Sequence, residues 1–133
     1  MKTHVEFRSD KFPPYEGEGD EINPDLWGRR LGEYLKEKLI GYGIETGDLI
    51  AEDWGWCLPV KNKTFSMWIG CGHYQEYPNG YLCFVEPSKP TIRRLFKKID
   101  TTVQVGRVVE ALGKILESDR EITDLRWWDE DEK

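Results

Sequence analysis

At 133 residues, with 38% hydrophobic and 13% aromatic content, the chain has material for one domain around one core, and no run approaches the roughly 18 apolar residues of a membrane-spanning helix. A formal charge of −6 opposes nucleic acid and anionic membrane alike, so the expected partners include neither, and a basic protein fits better. Three cysteines, Cys57, Cys71 and Cys83, without CxxC spacing, speak against a disulfide framework; with the polar start Met1-Lys2-Thr3-His4 they suggest a reduced, cytoplasmic setting.

Thr3, Val5 and Phe7 alternate with His4, Glu6 and Arg8, the period of a short strand. Residues 9–23 read as an acidic loop through Phe12-Pro13-Pro14-Tyr15, Gly17 and Gly19. Across residues 10–25, Asp10, Glu16, Glu18, Asp20, Glu21 and Asp25 are opposed only by Lys11. Together with an acidic tail at 129–133 this region carries the acid excess of the chain. Asn23-Pro24-Asp25 has the order of an N-cap, a first-turn proline and an acid that complements the helix dipole. Trp27, Leu31, Tyr34, Leu35 and Leu39 then recur at helical spacing until Gly41 or Gly43.

Three strands are expected at 49–60, 64–76 and 81–86, with turns at Asn62-Lys63 and Pro78-Asn79-Gly80. After Pro87 and Pro90, the spacing of Ile92, Leu95, Phe96 and Ile99 predicts a short amphipathic turn of helix, showing Arg93, Arg94, Lys97 and Lys98 on its solvated face. A second helix from Thr101 or Thr102 points Val105, Val108, Val109, Leu112, Ile115 and Leu116 inward, and Ile122 to Trp128 alternates as a last strand. The order is βαβββαβ. It implies a single α+β domain over 1–133: a mainly antiparallel sheet of four to five strands with two helices on one face.

A two-residue turn at Asn62-Lys63 sets Val60 opposite Phe65, Leu58 opposite Met67, Trp56 opposite Ile69, Trp54 opposite Cys71 and Glu52 opposite His73. Across the next turn, Tyr74 faces Phe84, His73 faces Val85 and Gln75 faces Cys83. The helix-covered face then collects Ile50, Trp54, Trp56, Leu58, Val60, Phe65, Met67, Ile69, Cys71, Cys83 and Val85. On the other face Trp68, Tyr74 and Phe84 surround a floor of Gly55, Gly70 and Gly72, with Asp53 beside it. This aromatic, glycine-floored surface, represented by Asp53, Trp68, Gly70, Gly72, Tyr74 and Phe84, is the expected binding surface, and Trp127 and Trp128 are the candidates to cover it.

A second candidate site lies on the covered face, where Glu52, His73 and Gln75 form a polar group near Cys71 and Cys83. A carboxylate beside a histidine raises its pKa and suits acid–base chemistry. Zinc requires four converging ligands, and Cys71-x-His73 with Cys83 supplies three, so neither metal nor cofactor is expected. No nucleophile elbow, zincin motif, Walker loop or deaminase signature occurs.

The segments Glu52-Asp53-Trp54-Gly55-Trp56, Trp68-Ile69-Gly70-Cys71-Gly72-His73 and Glu86-Pro87-Ser88 resemble those of an uncharacterised family of small stand-alone bacterial proteins. The resemblance implies a bacterial cytoplasmic setting and brings no activity with it. The expected function is a non-catalytic module of the immunity or antitoxin kind, binding a basic protein through exposed rings and acidic segments, with a homodimer compatible. The alternative is a small-molecule binder or small enzyme working at Glu52, His73 and Cys71.

Overall fold

Alternating apolar side chains at Val5 and Phe7, at Trp56, Leu58 and Val60, at Met67, Ile69 and Cys71, and at Tyr81, Cys83 and Val85 are buried along four strands, and these strands form the middle of one antiparallel sheet. The computed structural model describes residues 1–18, 26–74 and 77–130. The expected cap at Asn23-Pro24-Asp25, residue Gln75, the later part of the acidic loop and the end of the acidic tail lie outside the described residues.

The elements are β1 (His4–Arg8), α1 (Arg29–Ile40), β2 (Ile50–Glu52), β3 (Gly55–Val60), β4 (Met67–His73), β5 (Gly80–Glu86), β6 (Thr91–Arg94), β7 (Lys97–Asp100), α2 (Thr102–Glu117) and β8 (Thr123–Trp128). The main sheet has the order β2-β3-β4-β5-β1-β8, and β6 and β7 form a separate hairpin. The fold is α+β as expected, but with six strands in the sheet instead of four or five. The first strand sits between β5 and the last, with Val5 opposite both Cys83 and Trp127.

Both helices cover one face. Leu31, Leu35 and Leu39 of α1 recur every four residues and meet the same core as Val105, Val108, Leu112, Ile115 and Leu116 of α2. The start of α1 is held by Glu18, whose buried carboxylate accepts from the backbone N–H groups of Gly28 (2.9 Å) and Arg29 (3.0 Å) and from Trp56 Nε1 (2.9 Å). Its other oxygen accepts from the Tyr15 N–H at 2.9 Å. An acid therefore occupies the positive end of the helix dipole, supplied from the loop.

The hairpin registers differ from the sequence expectation by even numbers of residues. Val60 pairs with Met67, Leu58 with Ile69 and Trp56 with Cys71, because residues 61–66 form a longer connection in which Asn62 Nδ2 donates to Phe65 O and Phe65 is buried. Across β4 and β5, Cys71 pairs with Cys83, Gly70 with Phe84 and His73 with Tyr81. An even shift keeps each side chain on its face, so most of the assignment survives. Ile50, Glu52 and Trp54 are the exceptions. The stretch 49–60, expected as one strand, instead reverses at a tight turn through Asp53 and Trp54, with Gly55 at φ +148°, and forms the antiparallel pair β2 and β3, so the alternation does not run through it. Ile50 consequently pairs with Cys57 and is exposed, and Trp54 turns to the face opposite the helices.

Residues 91–100 also depart from the expected helical turn. Ile92 pairs with Ile99 across the β6–β7 hairpin, and both pack against the core, whereas Leu95 and Phe96 form the tip.

Candidate functional site: an aromatic row on the open face of the sheet

The face away from the helices carries a cluster of three rings. Trp54 and Trp68 stack with centroids 5.6 Å apart, and each meets Phe84, at 5.3 and 5.5 Å respectively. All three side chains are half-buried. Trp68 is positioned by β4, Phe84 by β5 and Trp54 by the tight turn between β2 and β3.

Of the expected floor glycines, Gly70 lies beneath a ring: a Cβ there would sit 2.3 Å from Phe84 Cζ. Gly55 and Gly72 serve a different purpose. A Cβ on Gly55 would lie 2.6 Å from the Cys71 carbonyl oxygen, and one on Gly72 would lie 3.0 Å from that of Trp54. These two residues let backbones approach, and the depression above Gly70 is filled by Phe84. Tyr74 is half-buried just past the end of β4, where its N–H donates to Gly80 O at 2.7 Å. Asp53 is exposed in the β2–β3 turn beside Trp54.

The row continues beyond the rings singled out from sequence. His4 on β1 stacks on Phe84 at 5.4 Å and on Trp128 of β8 at 5.9 Å. His4 is buried, and its Nδ1 lies 3.0 Å from Thr3 Oγ1. Trp128 thus packs beside His4, while Trp127 turns toward Gly113 of α2. The signal for His4 was its alternation with Val5, which assigns it to the open face. The pairing of β1 with β5 and β8 has no local trace in the chain.

The residues of the second candidate site are not gathered as expected. Glu52 is exposed and pairs with Gly55 across the β2–β3 turn, whereas His73 pairs with Tyr81. His73 is buried, with its ring stacked on Trp27 at 3.7 Å and nearly parallel to it. Its Nε2 lies 2.9 Å from Tyr77 O and 3.1 Å from Pro78 O. Carbonyls only accept, so Nε2 carries a proton and donates it to this turn. Cys71 and Cys83 face one another, fully buried, and burial pushes the Cys83 thiol well up. The Cys57 thiol, on the open face, is pushed up to about 11 by burial and then by the Glu52 carboxylate. Among the described residues, no group of three or more His, Cys, Asp or Glu side chains is arranged to hold a metal ion.

Two clefts border the far ends of β3 and β4. One of about 760 Å³ runs between residues 61–66 and β6, with Lys61, Lys63, Arg93 and Arg94 around Pro59 and Trp68 and no acid in its lining. The other, of about 560 Å³, has Ile44, Val60, Met67 and Val108 in its wall, with Glu45 and Arg107 at its margin.

Compared with protein-family models, curated proteins and solved structures, the chain matches none.

Proposed function

We propose that this chain is a non-catalytic binding module that engages a protein partner through the open face of the sheet, with Trp54, Trp68 and Phe84 as anchors. The observation that carries this reading is the mutual contact of the three half-buried rings, with Trp68 and Phe84 on adjacent strands, Trp54 on the β2–β3 turn and Phe84 over the backbone of Gly70. Rings held in this way lose little conformational freedom on binding and retain apolar surface to bury, which is the profile of interface hot spots. Exposed Glu52 and Asp53 border Trp54, an acidic margin that suits a basic partner of the kind met by immunity or antitoxin proteins. The alternative, catalysis at Glu52, His73 and Cys71, has less support, because the backbone pairing assigns Glu52 and His73 different neighbours.

The test is affinity capture from the native host with the wild-type chain and with Trp68→Ser in parallel. The wild type is expected to retain a specific protein that a folded Trp68→Ser chain loses. Retention at full strength by that variant would remove the surface.

A further inference from the structure

The β6–β7 hairpin is a basic finger with an apolar point. Its two turn residues, Leu95 and Phe96, are 90% and 100% exposed, more than any other large apolar side chains among the described residues. Leu95 has φ +57°, the left-handed region in which glycine or asparagine is usual and a leucine is uncommon. Neither backbone preference nor core burial explains why two large apolar residues occupy this turn.

The flanking residues are all cations. Arg94 pairs with Lys97 and Arg93 with Lys98 across the two strands. Like charges directly opposite one another destabilise an isolated hairpin. Because strand side chains alternate, one pair projects to each face, and the tip is ringed by positive charge on both sides. Arg94 also donates to Thr64 O at 2.8 Å, which ties one side of the finger, just behind its tip, to residues 61–66. Between residues 87 and 101 the only acid is Asp100, at the root, where it accepts from the Thr102 N–H.

We infer that this hairpin is a peripheral membrane anchor that inserts Leu95 and Phe96 into an anionic lipid bilayer and holds headgroup phosphates with Arg93, Arg94, Lys97 and Lys98. A strand rises about 3.3 Å per residue, so the cations stand one and two residues behind the point, at the depth of headgroups when the point enters the acyl boundary. A bilayer lying across the point spans both faces of the finger at that depth: it meets Arg93 and Lys98 on the outer face and Lys97 on the face of Ile92 and Ile99, where Arg94 is also tied to Thr64 O. A protein groove would engage one face and leave the other pair unopposed. The overall charge of −6 does not prevent this, since acids farther away than roughly 8 Å are screened at physiological salt. The charge balance of the whole chain, which argued against an anionic membrane, averages over a concentration of cations that the hairpin brings to one place. This inference is independent of the open-face binding site.

The experiment is sedimentation of the full chain with vesicles of phosphatidylcholine alone and with 30 mol% phosphatidylserine. Retention on the anionic vesicles only is expected, with a partition coefficient that falls as salt is raised. Leu95→Ser/Phe96→Ser is expected to weaken it about tenfold or more, and each of Arg93→Gln, Lys97→Gln and Lys98→Gln about fivefold. These side chains are exposed, so the variants are expected to unfold at the wild-type temperature. Glycerophosphoserine at millimolar concentration should not displace the chain; displacement would mean a free-phosphate site and overturn the anchor. No retention on anionic vesicles would also overturn it, as would retention unchanged by the tip double variant. So would tip-dependent dimerisation in solution, or tip-dependent binding to poly-glutamate or an RNA oligonucleotide without binding to vesicles.

Discussion

Phe84 lies across Gly70, its partner on the neighbouring strand, so closely that a methyl group on residue 70 would fall 2.3 Å from the ring. The absence of a side chain at 70 lets the phenyl ring lie flat and reach both Trp54 and Trp68. Gly70→Ala would therefore lift Phe84 out of its position and loosen the contacts it makes. We expect the substitution to destabilise the fold by about 2 kcal/mol, the usual scale for forcing an added methyl into a packed site. Urea titration followed by tryptophan fluorescence measures this, and a variant as stable as wild type would show that the ring moves aside freely.

A second expectation concerns the tie between the first loop and the C-terminal end of α2. Asp119 Oδ2 accepts from Lys11 Nζ and from the Tyr34 hydroxyl, each at 2.6 Å, and its Oδ1 accepts from the Glu121 N–H at 2.9 Å. Partial burial pushes the Asp119 pKa up, but the Lys11 ammonium and Tyr34 hydroxyl outweigh it and hold the group at about 2. A carboxylate whose pKa is lower folded than unfolded stabilises the fold above its unfolded pKa, near 4, and loses that contribution as pH falls toward about 2. The melting temperature of the wild type should drop over that interval, and Asp119→Asn should show a flatter profile there together with a lower melting temperature at pH 7. Identical slopes in the two proteins would mean that other carboxylates carry the acid sensitivity.

The parts of this fold that could be read from the chain are those where a local period has a single solution. Alternation through Trp56, Leu58 and Val60 and through Met67, Ile69 and Cys71 assigned the buried face correctly even though the registers were off, because those shifts were even. Residues 92–99 were ambiguous: Ile92, Leu95, Phe96 and Ile99 fit one side of a helix, yet the cross-strand pair Ile92–Ile99 satisfies the same apolar demand with Leu95 and Phe96 left outside. Trp54 falls on the other face because the chain reverses at Asp53-Trp54, so that this residue belongs to a turn and not to a strand, and no count of alternating residues reveals that. Glu18 stands in an acidic run that reads as solvated, whereas its carboxylate is buried among the N–H groups that open α1. Of the candidate site, Trp68, Phe84 and Gly70 were legible, and the contribution of His4 and Trp128 depends on long-range pairing of β1 with β5 and β8.

Cysteine reactivity bears directly on whether thiol chemistry belongs to this molecule. Cys71 and Cys83 are fully buried opposite one another, and Cys57 is half-buried on the open face between the strands that carry Ile50 and Gly70. With its pKa pushed up to about 11 by burial and then by Glu52, Cys57 has its thiolate fraction at pH 7.5 reduced about a hundredfold relative to an ordinary thiol. Iodoacetamide should accordingly modify the folded chain very slowly at that pH, and all three cysteines rapidly once it is unfolded in guanidinium. Glu52→Gln should speed the modification of Cys57 modestly, since it removes the smaller of the two influences and leaves the burial in place. Fast stoichiometric labelling of the native chain at Cys71 would contradict this ordering and restore a thiol-based mechanism as the stronger account of the second site.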